Sequence, residues 1–234
     1  MRALHEPRPD ETLISEGEYQ YLRQGKPTGL FEYWSISRQP DGREIVRAEV
    51  NARAVPGATS LLTHYQRKPD GLHEWLRIRI ERTGFSAAAQ YDFEPAEVKV
   101  YRQAYTQPRR ENLLEIAAKY VVDYHPVIGH DYVWRGYPAE AEGEPWSIPV
   151  FSPELWTSED DFLAGRALRY KVTPLQSEMC RVPAGDFDCA LSFEILLSDG
   201  VRAMAWYDDE GVPLRWLYPD KGYDFVLVNY KRGS

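Results

Sequence analysis

The sequence predicts a mostly β protein, an antiparallel β-barrel or a strongly curved half-barrel built as a meander. Three observations predict it. Apolar and polar residues alternate with a period of two through most of the chain, the mark of strands with one buried face. The alternating runs are divided by explicit turn signals: Pro40-Asp41-Gly42, Pro69-Asp70-Gly71, Pro183-Ala184-Gly185-Asp186, Asp199-Gly200 and Glu210-Gly211. Connections this short join antiparallel neighbours, and a sheet of many strands must close or curl to protect its edges. A β-sandwich is the competing arrangement.

Taken in order, residues 1–16 read as a flexible tail and 17–232 as a single domain. Seven strands are expected before about residue 106. In "LRIRIER", Leu76, Ile78 and Ile80 share one face, with Arg77, Arg79 and Glu81 on the other. In "FSAAAQYDF", Phe85, Ala87, Ala89, Tyr91 and Phe93 oppose Ser86, Gln90 and Asp92. "REIVRAEV" and "EVKVYRQ" behave in the same way. The pattern then breaks. "RRENLLEIAAKYVVDY" places Leu113, Leu114, Ala117, Ala118 and Val121 at helical spacing, which predicts a helix ending near Tyr124. Pro126 disfavours helical backbone in the residue before it. A Pro-, Gly-, Trp- and Tyr-rich loop follows, and a second short helix is expected from Ser158, where Glu159, Asp160 and Asp161 suit a helix N-terminus. This insertion, about 110–160, is expected to form a lid over one end of the barrel. Four or five strands are expected after about residue 166. Among them, "FDCALSFEIL" sets Phe187, Cys189, Leu191, Phe193 and Ile195 on one face.

The chain has 234 residues, enough for a substantial core, and a formal net charge of -8. Its Lys and Arg residues are scattered, so the sequence offers no patch for nucleic acid. No run approaches a membrane span. The N-terminal "MRALHEPRPDETLISEGEY" has no apolar h-region, which predicts a cytoplasmic location as numbered, or a periplasmic one if a leader has been removed. Oligomeric state is not legible.

Pro183, Ala184, Gly185, Phe187 and Cys189 make a Pro-Ala-Gly-x-Phe-x-Cys hairpin, followed by "AWYDDEGVPLRWLY" and "YDFVLVNYK". These residues resemble the C-terminal half of the bacterial domain-of-unknown-function 3108 family. "GEYQYLRQGKPTGLFEYWSI" and "THYQRKPDG" are similar to its N-terminal half, so the resemblance spans about residues 17–232. It implies a curved antiparallel sheet or barrel, often exported, with no established activity and no catalytic residues to transfer. Against the family, no leader is expected in the sequence as numbered, and residues 120–156 differ in length and aromatic content.

Cys180 and Cys189 lie symmetrically about Ala184-Gly185. A two-residue turn there sets them directly opposite, within disulfide reach. Two buried thiols are the alternative.

"VVDYHPVIGHDYVWRGYP" concentrates candidate chemistry. Asp123, His125, His130 and Asp131 are the candidate catalytic residues, because a carboxylate can fix a histidine tautomer while the ring moves protons near neutral pH. A metal site is a weaker reading, since no compact signature such as His-Glu-x-x-His is present. A packed lid with no chemistry is the third. No Gly-rich phosphate loop and no Gly-x-Ser-x-Gly elbow appear, so no cofactor is implied. The chain carries 16 Tyr and 7 Trp, residues that join an apolar face to a polar handle. Tyr91, Tyr124, Tyr132, Trp134, Tyr137, Trp206 and Trp216 are the candidate ligand-binding residues, with Ala87, Ala88 and Ala89 leaving room on one strand. Three functions fit: a binder of a small apolar or aromatic ligand of lipid or isoprenoid type, a cofactor-independent isomerase, cyclase or hydratase, and a cell-envelope structural protein. A tightly packed aromatic core without a cavity fits as well.

Overall fold

The computed structural model describes residues 6–105, 107–138, 141, 143–155, 161–176, 178–189 and 191–233. The seven strands expected before residue 106 are present: β1 (Thr12–Arg23), β2 (Lys26–Arg38), β3 (Glu44–Asn51), β4 (Ser60–Arg67), β5 (His73–Arg82), β6 (Phe85–Phe93) and β7 (Glu97–Ala104). They are followed by β8 (Arg110–Glu115) and a short β9 (Val121–Val122). A 3-10 turn at Val127–Asp131 runs directly into one short helix, α1 (Tyr132–Gly136). The chain then returns to strands: β10 (Trp146–Glu154), β11 (Ala164–Pro174), β12 (Met179–Val182), β13 (Gly185–Asp188), β14 (Leu191–Leu196), β15 (Arg202–Tyr207), β16 (Pro213–Tyr218) and β17 (Tyr223–Arg232).

Fifteen strands form one sheet in the order β8-β7-β6-β5-β4-β3-β2-β1-β17-β16-β15-β14-β11-β10-β9. Its ladders are antiparallel except for the parallel pairing of β9 with β10. The first and last strands meet in the middle, with Tyr19 opposite Leu227. The sheet is curved and is not closed by hydrogen bonds into a barrel. Its inner face carries the alternating apolar residues, including Leu76, Ile78 and Ile80 of β5 and Ala87, Ala89, Tyr91 and Phe93 of β6. The two wings meet there: the Phe151 ring of β10 lies 5.3 Å from Tyr91 and 5.4 Å from Phe93.

Several expectations are corrected. Residues 110–115 form a strand where a helix was expected, because the edge of β7 offers a ladder that this segment completes, pairing Val98 with Leu114 and Val100 with Asn112. Pairing at a sheet edge outweighs the weak helical spacing of a short apolar run. β1 starts at Thr12, inside the stretch expected to be a tail, and Glu11 accepts hydrogen bonds from Ser37 and Arg47. The helix expected from Ser158 starts outside the described residues. "FDCALSFEIL" is divided between β13, in a separate two-stranded sheet with β12, and β14 of the main sheet. In the β12–β13 hairpin Val182 pairs with Gly185, so the turn is Pro183-Ala184, one residue earlier than expected, and Cys180 faces Phe187. Neither cysteine is in a disulfide.

These placements make a direct prediction. Leu113 is 59% exposed, whereas Phe151 is fully buried between the wings. Leu113→Ala should change stability by less than about 0.5 kcal/mol, and Phe151→Ala should cost about 3–5 kcal/mol. Urea unfolding of the two variants measures both.

Candidate functional site

The segment that holds the candidate residues enters the concave face through β9. Asp123 continues the strand by donating its N–H to the Phe151 carbonyl at 2.9 Å. The chain then turns sharply at Gly129, where an added Cβ would overlap the Tyr124 carbonyl oxygen. From Val122 to Val133 the segment is buried apart from His125, which keeps some exposed surface.

What fixes it is a carboxylate from the opposite side. Glu32, on the inner face of β2 and fully buried, accepts the Val127 N–H at 2.7 Å and the Ile128 N–H at 3.0 Å. It also accepts the Tyr21 hydroxyl at 2.8 Å. Two amides that open the 3-10 turn are thereby satisfied, which a buried turn requires. Thr63 adds a hydrogen bond to the His125 carbonyl at 3.2 Å, and Tyr207 one to the His130 carbonyl at 2.7 Å. The segment is a plug joined to β2, β4 and β15, and not a cover over an open end.

The four candidate catalytic residues divide into three environments. His130 and Asp123 are paired, Nδ1 to Oδ1 at 2.8 Å, and the other Asp123 oxygen accepts the Tyr170 hydroxyl at 3.1 Å. The imidazole stacks on Trp216 with ring centres 4.3 Å apart. With the Asp123 carboxylate accepting from Nδ1, Nε2 is the nitrogen left to act, the orientation a general base would need. His125 stands 5.6 Å from His130, ring to ring. Burial of its ring, reinforced by the neighbouring His130, pushes its pKa down to about 4. Asp131 points elsewhere, to Arg67 and to Arg135 at 2.7 Å. Burial pushes its carboxyl up, but the charges and hydrogen bonds of the two arginines outweigh that and hold it below the usual range. Among the described residues no group of three or more His, Cys, Asp or Glu is arranged to hold a metal ion. No helix among them is long and apolar enough to cross a membrane.

The aromatic candidates fill space on both faces of the sheet. Tyr91 gives its hydroxyl to the Leu163 carbonyl at 2.7 Å. Tyr124 lies 4.9 Å from Tyr65, and Tyr132 lies 5.8 Å from Tyr170. The Trp134 ring covers Gly211, whose φ of +81° also favours glycine. Tyr137 packs 5.1 Å from Phe193. Trp216 is interior, beneath His130, whereas Trp206 faces outward under the Arg215 guanidinium and donates to Glu178 at 2.9 Å.

Sequence reasoning missed the outer face of β4 to β7. There Leu62, Arg79, Ala88 and Gln103 form one cross-strand row, and His64, Arg77, Gln90 and Tyr101 the next. Ala88 is the small member among long side chains, and a groove of about 550 Å³ opens over it. Arg77 stacks on Trp75 at 4.8 Å, and Arg109 stacks on Tyr101 at 4.7 Å. The outward position of Ala88 is readable from alternation, but its neighbours require the register of four strands.

The buried ionisable groups predict opposing pH effects. Burial raises the Glu32 carboxyl from an ordinary 4.5 to about 7, against the three hydrogen bonds it accepts. The folded state therefore holds that proton more tightly than the unfolded chain, and stability from Glu32 falls as pH rises from about 4.5 to about 7, by about 3 kcal/mol. His125 has the reverse sign: its depressed pKa removes stability as pH falls from 6.5 towards 4. In denaturant titrations, the stability of wild type minus Glu32→Gln should decline across the first window and then level. Wild type minus His125→Gln should decline on acidification. Parallel profiles in either comparison would contradict the assignment.

No family model matches the chain, and no curated protein matches it. Among solved structures, it is similar to the crystal structure of a DUF1089 family protein from Pseudomonas aeruginosa, with a TM-score of 0.49 and 14% sequence identity over 81% of this chain and 90% of that one.

Proposed function

We propose that the protein binds a small amphipathic acid, an apolar or aromatic body with an anionic head, in the outer groove above Ala88. The observation that supports this is the groove itself: a floor of Leu62, Ala88 and Tyr101 bordered by Arg77, Arg79 and Arg109 on a chain whose formal net charge is -8. An apolar floor with a few convergent charged groups is the usual composition of a small-ligand site. The arginines are partly preorganised. Stacking on Trp75 and Tyr101 holds Arg77 and Arg109 upright, and Arg guanidinium forks match carboxylates in a bidentate manner. Arg79 pairs with Glu81, and Arg109 with Glu111 at 3.2 Å. Exposed pairs of this kind contribute about 0–1 kcal/mol, so exchanging them for a ligand carboxylate costs little.

The interior supports acid–base chemistry less well. The Asp123–His130 pair has the hydrogen bond such chemistry needs, but Trp216 and Tyr170 lie against it, and the groove over Ala88 is on the opposite face of the sheet.

The test uses 1-anilinonaphthalene-8-sulfonate, an aromatic anion, as the probe. Wild type should give saturable binding that weakens with salt. Ala88→Trp should fill the groove and abolish binding with little change in melting temperature. Arg77→Gln with Arg109→Gln should weaken binding about tenfold or more, the scale of a lost charge-assisted hydrogen bond. Undiminished binding by Ala88→Trp would overturn the assignment.

A further inference from the structure

We propose that Cys180 and Cys189 form a dithiol–disulfide redox site in the β12–β13 hairpin, with Cys180 the thiol that meets the oxidant. The hairpin stands outside the large sheet as its own two-stranded unit. It is fastened there by the Ala184 N–H to the Leu227 carbonyl at 3.1 Å and by Trp206 to Glu178 at 2.9 Å. Both cysteines are buried, at 5% and 3% exposure, and their thiols hydrogen-bond to each other. The contact is diagonal. Cys180 faces Phe187, and Cys189 follows two residues later on the same face, donating its backbone N–H to Glu178 at 3.3 Å. β13 ends at Asp188, so Cys189 has left the regular ladder. Its backbone can therefore supply the small approach that brings hydrogen-bonded sulfurs to the bonded separation of about 2.05 Å.

Access is one-sided. Cys180, but not Cys189, lines an outer cavity of about 460 Å³ together with Glu178, Met179, Trp206 and Arg215. Burial and then the neighbouring Cys189 work against a thiolate at Cys180; Arg215 favours it and Glu178 opposes it. With hydrogen peroxide as oxidant, the Cys180 thiolate attacks one peroxide oxygen, the O–O bond breaks, and the other oxygen leaves as water after protonation. The resulting Cys180 sulfenic acid is attacked by Cys189, the S–S bond forms, and a second water leaves. Two thiols lose two electrons and two protons, and one peroxide becomes two waters. Burial pushes the Cys180 thiol up to about 12, so little thiolate exists near neutral pH and the reaction is slow compared with an exposed thiol.

Intact-mass measurement under non-reducing, denaturing conditions tests this after the folded protein is treated with hydrogen peroxide. The expected product is a monomer that has lost two hydrogens and both free thiols. Cys189→Ser should stop at the sulfenic acid, trapped on position 180 by dimedone, and Cys180→Ser should leave Cys189 unmodified at the same dose. The proposal is overturned if the folded wild type keeps both thiols under conditions that oxidise the urea-unfolded chain. It is equally overturned if the products are disulfide-linked dimers, or if Cys189 is the position trapped in wild type.

Discussion

The carboxylate of Glu32 carries the arrangement of the interior. A curved sheet of this size has a concave face that must be filled, and this chain fills it with its own 122–133 segment. A buried 3-10 turn brings backbone N–H groups that water cannot reach. Glu32 receives two of them, from Val127 and Ile128, and ties them to Tyr21 on β1. Breaking such a contact by removing one partner leaves buried donors unsatisfied, at about 1–3 kcal/mol each. The plug in turn gives Trp216, Tyr65 and Tyr170 their partners, so the packing of both wings depends on it.

This dependence changes the meaning of the histidines. Asp123 and His130 have the geometry of an acid–base pair, yet each of their outward contacts is to the plug's surroundings. The imidazole lies on Trp216, and the second carboxylate oxygen takes the Tyr170 hydroxyl. In a water-poor interior, hydrogen bonding at both ends is what permits polar groups to be buried at all. The polar pairs thus lie within the fold, and the open groove with its arginines lies on the outer face.

Much of the fold was legible because strand burial alternates residue by residue. Leu76, Ile78 and Ile80 face inward as their spacing requires. The stretch from Arg110 was misread because six residues with two leucines satisfy a helical and an extended pattern equally, and only the free edge of β7 decides. The hairpin turn was misplaced by one residue, which shifts its pairing by two, since Pro183-Ala184 and Ala184-Gly185 are both acceptable turns. Asp123, His130 and Asp131 stand out in the sequence as candidate acid–base residues, but their burial and their partners, Tyr170, Trp216 and Arg67, come from strands distant in sequence. Glu32 gave no local signal at all: a single acid between Phe31 and Tyr33 reads as an ordinary solvated position until the plug is placed against it.

Amide hydrogen exchange of Val127 and Ile128 tests the central role of Glu32 most directly. If the carboxylate holds the plug, these two amides exchange only by opening events as costly as those of the β5–β6 ladder, such as Ile78 opposite Ala89. In Glu32→Ala their protection should drop selectively while Ile78 remains slow relative to them. Exchange of Val127 and Ile128 in wild type at the rate of an exposed loop would contradict the account.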